Sequence, residues 1–167
     1  SKQHIWLGQL YNILEKKLAA LEHAERAKLF ASGVAAIVSS ISAFVQSGDH
    51  IVTIKDCYSW TSTYVAKYLA RFGVEHTFVE GSDANELEAA LRPNTKIIYL
   101  ESPTTFTFKL QDLTEVSSLG RSKGIKTIID NTWATPIYQN PIDFGVDLVV
   151  HSASKYLGGN SDVVGGV

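Results

Sequence analysis

Leu10, Ile13, Leu14, Leu18 and Leu21 recur three or four positions apart, with Glu15, Lys16 and Lys17 between them. That period predicts an amphipathic helix over residues 9–22 with one face packed inward. The short apolar run Ala27–Ala31 predicts a strand, Ser32-Gly33 a tight turn, and Val34–Val45, apolar nearly all round, a buried helix. From there the pattern alternates. Strands are expected near 51–54, 75–79, 96–101, 126–130 and 147–151, and helices near 60–72, 83–91 and 112–123.

Strands separated by helices imply βα units, hence an α/β fold. The strands near 96–100, 126–129 and 147–150 are apolar on consecutive positions rather than alternating, as when helices cover both faces of a sheet. The expected architecture is a three-layer helix–sheet–helix sandwich around a mostly parallel sheet. Ligands of such sheets bind beyond the strand carboxyl ends. The polar groups placed there are Ser32-Gly33, Asp56–Trp60, Glu101–Thr105, Asp130-Asn131-Thr132 and Ser152–Lys155.

With 167 residues, 45% hydrophobic and 19% charged, the chain has the length and balance of one globular domain. A formal net charge of -2 offers no basic excess for nucleic acid or an anionic membrane, so a small-molecule ligand is expected. Cys57 is the single cysteine, which excludes an intrachain disulfide and a multi-cysteine zinc site and fits a cytoplasmic protein. His4, His23, His50, His76 and His151 are scattered without a His-Glu-x-x-His pair, so no metal is expected. Neither a signal-peptide stretch nor an apolar run of membrane-spanning length occurs. The absence of an initiating Met and the end at Val167 suggest a fragment.

Ser152-Ala153-Ser154-Lys155 sets two hydroxyls and an amine at a strand terminus, where a phosphate and an aldehyde could meet. An isolated lysine there would ordinarily just extend into water. Asp130 ends an apolar strand, where an unpaired carboxylate is costly; a local cation or cap would satisfy it, and so would a protonated pyridine nitrogen. Ser32-Gly33-Val34 opens a helix, where free N–H groups attract an anion, although an ordinary N-cap reads the same way. Tyr58 could stack on a planar ring or fill a half-buried core position.

Taken together in this order, Ala31-Ser32-Gly33-Val34-Ala35-Ala36, Gly48-Asp49-His50, Tyr58, Glu101-Ser102-Pro103-Thr104, Asp130-Asn131-Thr132-Trp133-Ala134 and Ser152-Ala153-Ser154-Lys155-Tyr156-Leu157-Gly158-Gly159 form a specific pattern. From about residue 12 to Val167 the chain resembles the Cys/Met-metabolism family of pyridoxal 5′-phosphate (PLP) enzymes. That family includes cystathionine β- and γ-lyases, cystathionine γ-synthase, methionine γ-lyase and O-acetylhomoserine sulfhydrylase. The resemblance implies the PLP fold-type I large domain over residues 1–167, with a C-terminal small domain beyond it. It implies Lys155 as the Schiff-base lysine, Asp130 on the pyridine nitrogen, Tyr58 stacked on the ring and Thr132 beside it. Ser32, Gly33, Val34, Ser152 and Ser154 would hold the phosphate. Lys155, Tyr58 and Asp130 would be the catalytic residues, the substrate a sulfur amino acid, and the assembly a homodimer or homotetramer.

The chain departs from the family at two places. Thr105-Phe106 stands where many members have Asn-Pro, and Ile5-Trp6-Leu7-Gly8-Gln9-Leu10 replaces the usual Tyr-x-Arg and Asn-Pro-Thr region. A rival reading within the same fold is a truncated, non-catalytic PLP-binding or partner-binding module. Ser152-x-x-Lys155 also matches the nucleophile motif of penicillin-recognising enzymes, but the later elements of that pattern do not occur.

Overall fold

A computed structural model describes residues 2–167, with side chains from residue 8 onward. The side chains of Ile5, Trp6 and Leu7, in the departing N-terminal segment, thus lie outside the described residues.

Five strands make one sheet: β1 His50–Ile54, β2 Glu75–Val79, β3 Thr95–Glu101, β4 Lys126–Asp130 and β5 Leu148–Val150. All neighbours are parallel, in the order β2-β1-β3-β4-β5. The apolar runs explain this arrangement. Ile51, Val52, Ile54, Ile97, Ile98, Leu100, Ile128 and Ile129 have no exposed surface, which requires cover on both faces. Helices α2 Gly33–Ser42, α3 Ser59–Thr63, α4 Ala84–Ala90 and α5 Leu113–Lys123 supply it, with α2 against β4 and β5, and α5 against β4 and α4. The expected α/β sandwich is the observed one.

Capping chemistry sets the helix limits. Ser32, Asp83 and Asp112 each accept a backbone N–H in the first turn of α2, α4 and α5. Gly124 ends α5 with a φ of 69°, a left-handed conformation that glycine adopts without a Cβ penalty.

Several local expectations are corrected. Residues 27–31 form no strand, and Phe30 makes only an isolated antiparallel bridge with Gly166. A five-residue apolar run has no strand character until a partner lies alongside it, and the partner here is a single residue. The first helix, α1 Lys2–Leu21, does not pack one face inward: Leu10, Ile13, Leu14 and Leu21 are 45–61% exposed. Among the described residues it engages the domain chiefly near its end, where Ala19 and then Glu22 are buried. The helix expected over 60–72 changes pitch, α3 passing into a π turn at Tyr64–Tyr68 and a 3-10 turn at Leu69–Phe72. Two unexpected short helices, α6 Thr135–Tyr138 and a 3-10 turn at Pro141–Phe144, connect β4 to β5. No helix among the described residues is long and apolar enough to cross a membrane.

Candidate cofactor site

The register of the sheet gathers the suspected residues at one edge. Glu101, Asp130 and Val150 are paired across β3, β4 and β5, so the segments after them leave the sheet at the same level. Between β1 and β3 the chain direction of the crossovers reverses, which opens a crevice at the carboxyl ends. Tyr58 follows β1 there, and its N–H donates to Glu101 Oε2 at 2.7 Å. The tyrosine is 38% exposed.

Asp130 is 6% exposed. Its Oδ1 accepts the Thr132 N–H at 2.9 Å, and the Thr132 hydroxyl accepts the Ser152 N–H at 2.8 Å. The loops after β4 and β5 are thus tied to each other directly beside the buried carboxylate. Burial pushes the Asp130 pKa up, opposed by Thr132 and by the charge of His151. An anionic Asp130 therefore calls for a further cation, and a positively charged ring nitrogen meets that need.

At β5, Ser152 contacts the start of α2 so closely that a Cβ at Gly33 would lie 2.6 Å from Ser152 Cβ and 2.7 Å from its Cα. Only glycine permits that approach. It brings the first turn of a ten-residue helix, with its free N–H groups, against the Ser152 backbone. Ser32 caps this helix, its Oγ accepting the Ala35 N–H at 3.1 Å, and Val34 in the same turn is 39% exposed. The donor set suits a phosphate. Ser154 is differently engaged, since its hydroxyl accepts the Gly165 N–H at 3.0 Å and donates to Gly165 O at 3.3 Å. Lys155 is exposed in the turn that follows, its N–H donating to Ser152 O at 3.1 Å.

Glu101, at the end of β3, carries no role implied by the sequence pattern. In the structure it is 6% exposed, and one oxygen holds the Tyr58 N–H while the other accepts the Thr105 hydroxyl. Burial, reinforced by the Asp130 carboxylate, pushes its pKa up to about 7. The signal that singled out Asp130, a carboxylate ending an apolar strand, applies equally to Glu101. Thr105, at the departure from the family pattern, is committed to this carboxylate. Cys57, in the segment after β1, is buried. Burial, Glu101 and Asp130 push its thiol up to about 12, so it carries no thiolate near neutral pH.

Known proteins share this sequence and fold. The model of the Cys/Met metabolism PLP-dependent enzyme family matches residues 9–167. Cystathionine gamma-lyase of Bacillus subtilis is 47% identical over 154 residues, covering 92% of this chain and 40% of the relative. L-methionine gamma-lyase of Treponema denticola is 44% identical over 156 residues, covering 92% of this chain and 39% of the relative. The crystal structure of metB from Corynebacterium glutamicum superposes with a TM-score of 0.90 at 40% identity, covering 92% of this chain and 40% of that one. The chain thus spans about 40% of the length of these relatives. With the family model matched across the whole sheet and every strand-end loop of the crevice, the chain belongs to the Cys/Met-metabolism family of PLP-dependent enzymes.

Proposed function

We propose that this chain is the PLP-binding large domain, over residues 1–167, of an enzyme that breaks or exchanges carbon–sulfur bonds in sulfur amino acids. A cystathionine β- or γ-lyase is the favoured activity, with γ-synthase or sulfhydrylase chemistry as the replacement variant. The observation that carries this reading is the buried Asp130 carboxylate, bridged through Thr132 to the Ser152 loop that leads into Lys155. The names of the relatives support it: cystathionine gamma-lyase and cystathionine beta-lyase, both of Bacillus subtilis, are 47% and 45% identical to the chain.

Each residue has a defined task. Asp130 holds a cationic ring nitrogen in a site where burial makes an unpaired carboxylate costly. Tyr58 covers one ring face, and Thr132 borders the ring. The N-terminus of α2, through Ser32, Gly33 and Val34, joins Ser152 and Ser154 in holding the phosphate. The Lys155 amine would hold the aldehyde until a substrate amine displaces it, and the freed amine would then take the Cα proton of the bound amino acid. When bound, the cofactor supplies an electron sink for the charge released at the substrate Cα. Cytoplasmic location and a homodimeric or homotetrameric assembly belong to the same proposal.

The test is borohydride reduction of the full-length protein in the presence of PLP, followed by peptide mapping. The expected result is a reduced adduct on Lys155. With Lys155→Ala, exchange of the substrate Cα proton should vanish. A full-length protein carrying no adduct at Lys155 would instead identify the chain as a non-catalytic module of the same fold.

A further inference from the structure

On the far side of the sheet from Asp130, a buried polar chain connects the same three strand ends. Glu101, Asp130 and Val150 form one register row, and strand pleating turns the next side chains to the opposite face. There Glu22, just beyond the end of α1, meets both Asn131 and His151. Its Oε1 accepts from Asn131 Nδ2 at 3.0 Å and also contacts His151 Nε2. An ionised carboxylate only accepts, so the His151 nitrogen is the donor in that contact when Glu22 carries its charge. Asn131 and Gln139 continue the chain, with Gln139 Nε2 donating to Asn131 Oδ1 at 2.9 Å and to Ser102 O at 2.8 Å. Glu22, Asn131 and His151 are 7%, 0% and 2% exposed.

Each contact falls one residue from a group of the crevice. Asn131 follows Asp130, His151 precedes Ser152, and Ser102 follows Glu101. We infer that Glu22 is a positioning residue for the cofactor site: by gripping Asn131 and His151 with a single oxygen, it fixes the separation of the Asp130 and Ser152 loops. This inference rests on the proposed assignment of those loops to PLP.

Two observations favour positioning over simple packing. Glu22 Oε2 and His151 Nδ1 are buried with no hydrogen-bond partner among the described residues. A carboxylate and an imidazole so incompletely satisfied are a poor way to stabilise a core, where an apolar pair of similar volume does as well or better. They are an effective way to set a spacing, because removing the shared oxygen leaves His151 Nε2 without its partner and Asn131 Nδ2 held only by Gln139 O at 2.9 Å. The strand ends must then move to satisfy them, while a binding constellation tolerates displacements of only about 0.5 Å.

The experiment is a PLP titration of the full-length apoenzyme, read by absorbance, with thermal unfolding measured in parallel on each variant. Glu22→Leu removes the acceptor at similar size and is expected to weaken cofactor binding by about tenfold or more at temperatures where the variant is fully folded. Glu22→Gln keeps a carbonyl oxygen for both donors, so its affinity should stay within about threefold of the parent. Gln139→Leu, at the half-buried end of the chain, should weaken binding severalfold, and it serves as the variant if Glu22→Leu does not fold. Unchanged cofactor affinity in Glu22→Leu or Gln139→Leu, with only the melting temperature lowered, would overturn the inference. So would a loss in Glu22→Gln as large as in Glu22→Leu, since charge rather than the shared acceptor would then be responsible. A parent enzyme that forms the Lys155 adduct separates these failures from failure of the functional reading itself.

Discussion

The two ends of one sheet bury polar groups in opposite ways. At the amino end His50, with no exposed surface, places Nδ1 2.8 Å from the Thr95 hydroxyl and Nε2 2.9 Å from the Thr77 hydroxyl. Both ring nitrogens are satisfied, and burial, helped by Arg92, holds the pKa below its usual value, so the imidazole stays neutral. At the carboxyl end Asp130 and Glu101 are buried beside each other with their pKa values pushed up. Phe106 and Phe108, in the loop after β3, and Thr135, the first residue of α6, have φ values of 52–62°, the left-handed region that side chains disfavour. The amino end is built to be stable alone. The carboxyl end keeps unmet charge and strain, the condition of a surface arranged for something else to bind.

Asp130→Asn should separate the two ends most sharply. Asn keeps the Oδ1 acceptor for the Thr132 N–H but loses the charge, so turnover of the full-length enzyme should fall by roughly a thousandfold or more if a cationic ring needs it. Stability of the apoprotein should be unchanged or higher at pH 8, because a buried carboxylate with a raised pKa favours the unfolded chain once it ionises. A mild kinetic loss together with a fall in melting temperature would make Asp130 an ordinary structural carboxylate.

Glu101→Gln tests the same end through pH. The folded pKa of Glu101 is raised from 4.5 to about 7, so the folded protein retains a proton that the unfolded chain has released. Its contribution is fully present below pH 4.5 and is lost as pH rises through 7. The change amounts to about 3 kcal/mol, and the variant should flatten that part of the stability–pH curve. Chemical denaturation of the apoprotein from pH 4.5 to pH 8 measures it; an unchanged slope in Glu101→Gln would assign the linkage to another group.

Gly33→Ala forces a Cβ into Ser152 and should cost about 1–3 kcal/mol by overpacking, with weaker phosphate binding as the distinguishing readout. At the amino end, His50→Leu should cost about 1–2 kcal/mol from its two lost hydrogen bonds and leave cofactor affinity unchanged. Equal effects of these two changes on PLP affinity would erase the distinction between the ends.

Much of the fold was legible because the signals were local. Ile97–Leu100 and Ile128-Ile129 read as central strands from consecutive apolar positions, and Ser32 read as a helix start from its own chemistry. Asp130 was conspicuous for the same reason, a carboxylate ending an apolar run. The run Ala27–Ala31 and the apolar face of α1 misled, since burial depends on what lies opposite and neither pattern carries that information.

The sequence by itself determined the alternating βα order, the crevice side of the sheet and the chemical types present at the strand ends, because each follows from residues close together in the chain. The tertiary structure alone decided that Ser152 abuts Gly33, that Thr105 serves Glu101, and that Glu22 joins Asn131 and His151 across 109 and 129 positions. A hydrogen bond between groups so far apart leaves no periodicity to read; it exists only once the packed sheet has fixed their distance.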